Sequence, residues 1–285
     1  QIFVAGPALV EKTGEKVTKE ELGGSLIHGK NGVVDAIAEN EKHAFELTKK
    51  FLSFMPSSTS HLPKRLNCND PSNRADEWLI NAVPRSKRTS YEMYPIIKSI
   101  VDKLSFFEIG NNYGKSAITG FARLNGYPIV LIANNPQIYG GGWTSIACQK
   151  ITKILDIAQL FHFPILHLVD NPGFVIGTHA EKEGTIKYGA KTLAAIYQLK
   201  VPICSVIIRK AFGVAGAGHM NHTRHRHRFA WPSGYWGSLP PEGGIETAYK
   251  SELAKSKNPA LLIAEIKDRL DKFESPFKSA EKFLK

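Results

Sequence analysis

Sulfur, acid and long apolar runs are the scarce features of this chain. Its 285 residues include three methionines and three cysteines. Cys68, Cys148 and Cys204 have no metal-ligand spacing and are too few and scattered for a disulfide framework. They read as reduced structural thiols, which points to an intracellular compartment. No apolar run reaches the roughly 18 residues of a membrane span. The longest, Pro128–Ala133 and Ile203–Ile208, are strand-sized, so no membrane span is expected. Asp and Glu number 26 against 37 Lys and Arg, a net charge of +11 that suits acidic partners, nucleic acid or phosphate-rich small molecules. The basic residues are spread along the chain, and no aromatic-interleaved basic groove appears, so nucleic acid is not expected as a partner. Also missing are an initiating Met, a signal-peptide pattern and an obvious nucleophile triad. The chain starts at Gln1 and reads as a fragment or a processed piece.

The most informative segment runs from Ile207 to Gly218. Val206, Ile207 and Ile208 read as a buried strand, followed by Gly213, Ala215, Gly216, Ala217 and Gly218. Small residues let backbone N–H groups approach a ligand closely. A helix starting there would turn its first, internally unpaired amides outward. Such a turn is a candidate cradle for an oxyanion or a phosphate. Close helix packing selects the same residues, and both readings stay open on this segment alone.

Hydrophobic residues make up 42% of the chain, enough for a well-packed core. Apolar spacing predicts helices over 35–52 and 93–104, 144–161 and 184–198. Strands are predicted over 117–124 and 128–133, joined by the hairpin turn Asn125-Gly126, and over 165–169 and 201–208. Asn258 and Pro259 start a further helix reaching about Leu270, with a helical charged tail beyond it. Strands alternating with helices of this length indicate an α/β layered fold. The Ser-, Pro- and Asn-rich stretch 55–72 is the best candidate for a domain boundary. Three strand ends run into tight turns: Asn134-Asn135-Pro136 with Gly140–Gly142, Asp170-Asn171-Pro172-Gly173-Phe174, and the 213–218 segment. Together they suggest one ligand crevice at the carboxyl edge of a sheet. Asp170 reads as a turn residue, and Glu181 and Glu183 as caps of the helix that follows them.

A set of motifs appears in order along nearly the whole chain: Leu22-Gly23-Gly24-Ser25 with His28 and Gly32-Val33; Asp102; Phe106-Phe107-Glu108-Ile109; Gly120-Phe121-Ala122-Arg123-Leu124-Asn125-Gly126; Asp170-Asn171-Pro172-Gly173-Phe174 with Gly177 and Glu181; Gly189-Ala190-Lys191; Arg209-Lys210-Ala211-Phe212-Gly213; and Ala230-Trp231-Pro232. The series resembles the carboxyltransferase subunit of biotin-dependent acyl-CoA carboxylases, the family of propionyl-, acetyl- and methylcrotonyl-CoA carboxylases. The resemblance implies a crotonase-like (ClpP/crotonase) ββα spiral fold, built in the family as two consecutive halves. Residues 1–60 would end the N-terminal carboxyltransferase domain, and 61–285 would form the C-terminal, biotin-side domain.

The same resemblance implies transfer of a carboxyl group from carboxybiotin, held by a partner carrier, to the α-carbon of an acyl-CoA substrate. The cofactor's ring nitrogen can take the α-proton, which fits the missing triad. The amides around Gly213, Val214 and Ala215 would face the ureido oxygen. The loops carrying Asn135, Pro136, Gly141, Gly142, Pro172, Gly173 and Phe174 would line the biotin slot. In Gly213-Val214-Ala215-Gly216-Ala217-Gly218 the chain departs from the family, whose loop is one residue shorter. Implied partners are biotin carboxylase, the biotin carboxyl carrier and further copies of the subunit, a hexamer in the full-length protein. The implied location is the cytoplasm or the mitochondrial matrix. A biotin-dependent decarboxylase is the alternative, and a non-catalytic scaffold, which has no need of converging amides, is another. The segment His219 to Arg228 holds four histidines and interleaved arginines. Its spacing matches no zinc site, so no metal is expected; a solvated basic surface or contact with an acidic partner fits better.

Overall fold

A computed structural model of the chain describes residues 1–219, 226–238 and 243–283. Its centre is a seven-stranded sheet in the order β1 (Phe107–Glu108), β2 (Ala117–Leu124), β3 (Tyr127–Asn134), β4 (Ile165–Asn171), β5 (Ile203–Phe212) and β6 (Arg226–Ala230), with β7 (Tyr235–Gly237) also paired to β5. The first three strands are antiparallel, and β3 onward is parallel. Asn125 and Gly126 both take positive φ, 51° and 79°, as a two-residue hairpin requires. The Asp102 carboxylate accepts both of their amides, at 2.8 and 2.7 Å.

The inner strands β3 and β4 are buried along nearly their whole length, which is why both carry apolar runs without alternation. In β3, Val130 and Ile132 join one core with Phe54, Phe121, Trp143, Ile151 and Phe163. Ile129, Leu131 and Ala133 point the other way, into a core with Met93, Ile96, Ile97 and Leu168. Two helices cover the first face. Ser145–Leu160 connects β3 to β4 and is capped by Thr144, whose side chain accepts from the Ala147 amide. Thr185–Gln198 connects β4 to β5, and Thr192 ties the pair together by donating to the Cys148 carbonyl at 2.9 Å. Helix Met93–Ile100 covers the second face. All three cysteines are free.

Several elements differ from their predicted spans. The first long helix is Glu41–Phe54, because the Asn40 side chain caps it by accepting the His43 amide. Helix 93–100 stops four residues early, and Leu104 has φ of 60°, outside helical geometry. Strand β5 continues to Phe212, four residues past the apolar run, because Lys210–Phe212 pair with β7. Neither Glu181 nor Glu183 caps the helix after them. Its N-cap is Gly184, in left-handed geometry with no side-chain bond, and Glu183 instead accepts from Ser145 at 3.1 Å. Stretch 55–72 is irregular as predicted, yet Phe51 and Phe54 before it pack on Phe121, with ring centres 5.8 and 5.5 Å away. Helix Pro259–Glu274 begins at the expected cap, Asn258 accepting from the Leu261 amide. Among the described residues, no helix is long and apolar enough to cross a membrane.

Candidate functional site

The three strand-end loops do meet. Trp143, just past the first loop, donates its amide to the Gly173 carbonyl at 3.1 Å and accepts the Val175 amide at 3.0 Å. A Cβ placed on Gly173 would be 3.7 Å from the Phe212 carbonyl oxygen, so the second loop adjoins the third. Lys210, near the end of β5, reaches back to the Gly140 carbonyl at 3.5 Å. Asn134 braces the floor, giving Nδ2 to the Gly141 carbonyl at 2.8 Å and accepting the Asp170 amide at 3.2 Å.

Beyond Phe212 the chain enters a five-residue helix, Gly213–Ala217. The amides of Gly213, Val214 and Ala215 have no acceptor within the helix, and among the described residues the N-cap, Phe212, makes no side-chain bond to this end. Gly213 has φ of 61°, and a Cβ there would meet open space. Gly216 and Gly218 are different: a Cβ on them would lie 2.4 Å from the Ala211 carbonyl carbon and 2.0 Å from Leu193. The glycines of this segment therefore divide between the two readings left open by the sequence. Gly213 opens the turn, and Gly216 and Gly218 allow close packing. The Val214 side chain is exposed, and Ala215 is fully buried.

The other sequence-predicted residues divide by exposure. Pro172, Gly173 and Phe174 are half-exposed. Asn135, Pro136, Gly141 and Gly142 are buried. Asn135 spends its side chain inside the loop, giving to the Lys115 carbonyl at 3.2 Å and accepting the Gln137 amide at 3.2 Å. Gly141, with φ of 88°, is forced by its neighbour, because a Cβ would sit 2.2 Å from the Asp170 carbonyl oxygen. The Phe174 ring packs near Trp143 and lies on Gly189, where a Cβ would come within 2.5 Å of it.

Sequence reasoning missed the buried polar groups beneath the crevice. Asp170 is not a turn residue on the surface but a fully buried carboxylate. It accepts from Arg209 Nε at 3.1 Å, the Lys210 amide at 3.1 Å and the Tyr91 hydroxyl at 2.9 Å. Burial and the adjacent carboxylate push the Tyr91 phenol well up from its ordinary range. The signal was in the motifs, since Asp170 and Arg209 lie on adjacent parallel strands toward their carboxyl ends, but it needed the strand pairing to be read. His219 is also fully buried rather than part of a solvated surface. Its ring stands edge-on to that of His167 on β4 at 4.5 Å and to Trp143 at 5.2 Å. Burial brings His167 down to about 3 and holds His219 well below the usual imidazole range. Residues 220–225 of that basic stretch lie outside the described residues.

Two cavities, of about 450 and 430 Å³, lie elsewhere. One lies between Leu66–Pro71 and Asp102–Ser105, the other between the 145–160 and 185–198 helices. At Gly213 the crevice gives onto open space, since a Cβ there would meet nothing within 4 Å.

A mixed sheet with helices on both faces and loops meeting at the carboxyl edge of its parallel strands defines an α/β protein. Residues 1–284 match the family described as Carboxyl transferase domain, and the chain belongs to that family. Over 285 residues it is 35% identical to the propionyl-CoA carboxylase beta chain of Cereibacter sphaeroides, covering 99% of this chain and 55% of that one. Methylmalonyl-CoA decarboxylase subunit alpha of Propionigenium modestum is 31% identical over 291 residues, covering 100% and 56%. Among solved structures, transcarboxylase 12S, a hexamer with methylmalonyl-CoA and methylmalonic acid bound, superposes with a TM-score of 0.89 at 30% identity, covering 99% of this chain and 55% of that one. The fold is accordingly the crotonase-like one. The chain spans about half the length of the curated relatives it matches.

Proposed function

We infer that this chain is the biotin side of an acyl-CoA carboxyltransferase, the component that moves a carboxyl group from carboxybiotin on a partner carrier to the α-carbon of an acyl-CoA. The observation that carries this reading is the uncapped turn at 213–215, opening on free space beside the second loop. When bound, biotin would supply the activated carboxyl group and a base for the α-proton. The chain's part is to hold negative charge. Amides fixed before the reaction begins favour a developing oxyanion over the uncharged ground state. The residues fit such a group: Gly213 leaves the donors uncovered, and Gly173 brings the second loop close with no side chain between.

In this reading Gly213, Val214 and Ala215 supply the donors, and Pro172, Gly173 and the half-exposed Phe174 border the slot. Asn135, Pro136, Gly141 and Gly142 form its frame from within. Residues 1–60 complete the N-terminal half, and the rest is the biotin-side domain. The open crevice fits a site whose acyl-CoA wall comes from the missing half or from another copy of the subunit, and the hexameric transcarboxylase supports assembly of that kind. Biotin carboxylase and the biotin carboxyl carrier would be the other partners. The mitochondrial propionyl-CoA carboxylase beta chain of Sus scrofa, 34% identical over 284 residues, supports an intracellular location, cytoplasm or mitochondrial matrix. Release of CO2 from a carboxylated acyl-CoA would draw on the same amides and is the lesser reading.

The test is co-expression with the complementary N-terminal half and assay of carboxyl transfer from carboxybiotin to acetyl-, propionyl- and longer acyl-CoAs. Ala215→Pro deletes one N–H at a position in the first helical turn, where proline is tolerated. It should lower kcat by about a hundredfold or more, as removal of one oxyanion donor does, with circular dichroism unchanged. Full turnover by the proline variant would remove this turn from the mechanism.

A further inference from the structure

Asn171, the last residue of β4, is fully buried and bonds in two directions. Its Oδ1 accepts the Gly173 amide at 2.8 Å, inside the second loop. Its Nδ2 lies 3.4 Å from Nε2 of His219, the residue next after the 213–218 segment. One side chain thus joins the loop that borders the crevice to the end of the turn that carries the amides. We propose that Asn171 and His219 are positioning residues whose hydrogen bond sets the spacing between Gly173 and the amide-bearing turn. This rests on the function inferred above.

The donor pattern fixes the roles. With Oδ1 taken up by an N–H, the end of Asn171 facing His219 is its NH2 group, which can only donate. His219 must therefore accept at Nε2 and carry its proton on Nδ1. The backbone of His219 is held as well, its carbonyl accepting from the buried Ser205 hydroxyl of β5. Burial and the described groups around the ring disfavour a second proton. His167 faces it from β4, Trp143 from beyond the first loop, and the cation of Arg228 on β6 acts on it in the same sense as burial. His219 Nδ1, both His167 nitrogens and Trp143 Nε1 are buried without partners among the described residues. A protonated His219 would point a donor at a donor, with no carboxylate among the groups that act on it. The pair should then part and loosen the turn. An Asn171 that only shaped its own turn through Gly173 would show none of this sensitivity to the imidazole.

The experiment uses this chain with its complementary half, reading kcat, KM and the pH profile, together with amide exchange of peptides covering 172–176 and 212–219. Asn171→Ala should lower kcat on the order of tenfold, the worth of about one lost hydrogen bond. KM for acyl-CoA should stay unchanged, and exchange should quicken in both peptides. Asn171→Asp keeps an acceptor for Gly173 but turns an acceptor toward His219, which can meet it only by moving its proton from Nδ1 to Nε2 or by taking a second one. The carboxylate should raise the imidazole's titration and shift the pH profile of kcat away from that of the wild type. His219→Gln supplies a neutral acceptor and should recover activity that His219→Phe loses. Wild-type kcat and exchange in Asn171→Ala would overturn the proposal, and so would a wild-type pH profile in Asn171→Asp. If Asn171→Ala does not fold, the other variants decide. If no form transfers carboxyl groups, the function reading fails, while the exchange data still judge the clamp.

Discussion

At the scale of single residues, His167 makes acid the weak side of this fold. It is almost completely buried on β4, and burial alone brings its imidazole down to about 3. An unfolded histidine titrates near 6.5. Between these values the unfolded chain binds the extra proton, so stability rises with pH across the window. The contribution is complete above about pH 6.5 and is lost progressively toward pH 3, at about 1.4 kcal/mol per pH unit well inside the window. Replacing His167 by Leu should abolish that slope. Measured by urea midpoints at pH 7 and pH 5, the variant should gain about 2 kcal/mol relative to the parent at the lower pH; equal losses in both would show that other groups govern acid unfolding. Residues of this kind are hard to read in advance. A histidine inside an apolar run gives no sign of its neighbours, and His219, placed in a basic stretch, gives a false one. Glycine is ambiguous for another reason. Gly213 and Gly216 stand three apart, one facing open space and one pressed on Ala211, and only the folded chain separates them.

At the scale of elements, most strands and helices were legible because each carries its own period and punctuation. The hairpin at Asn125-Gly126 and the Asn258-Pro259 start are local signals, and the structure has both where the sequence puts them. Local pattern misleads where a non-local partner extends or supplants it. β5 outlasts its apolar run because its polar end, Arg209 and Lys210, is engaged by Asp170 from β4 and by β7. This joint should be costly to break from one side. Arg209 is 3% exposed, also donates to the Thr89 carbonyl at 2.7 Å and stacks over Tyr91 at 4.7 Å. Asp170→Asn would leave that guanidinium buried without a counter-charge, an effect of about 3 kcal/mol or more. Asp170→Leu combined with Arg209→Met, which removes both charges, should recover a large part of the loss. Denaturant midpoints of the single and double variants check this, and an additive double variant would mean the ion pair is incidental.

At the scale of the whole molecule, the core and the N-terminal segment are unequally secured. The buried clusters on both faces of the sheet contain no residue before Leu47. Upstream of it, Ile2, Val4, Leu9, Leu26 and Val33 are exposed. That segment is held by polar ties instead, among them the Ile2 amide on the Gly23 carbonyl at 3.1 Å and the Gly110 amide on the Asp35 carbonyl at 2.9 Å. The Asp35 carboxylate also meets Lys153 at 2.7 Å. Family motifs made the global fold legible from sequence, whereas this imbalance is visible only once the buried clusters are known. Apolar side chains left in water favour local opening, and a segment with few buried contacts exchanges and cleaves first. Limited trypsin digestion of the chain alone should therefore cut at Lys12, Lys16, Lys19 and Lys30 while leaving a fragment that starts after them resistant. The ties at Asp35 mark where protection should begin. Adding the complementary N-terminal half should slow those same cuts, because the exposed side chains would then be covered. Equal resistance of residues 1–34 and the sheet in the isolated chain would show that the segment is held by this chain itself, and that its apolar surface awaits no partner half.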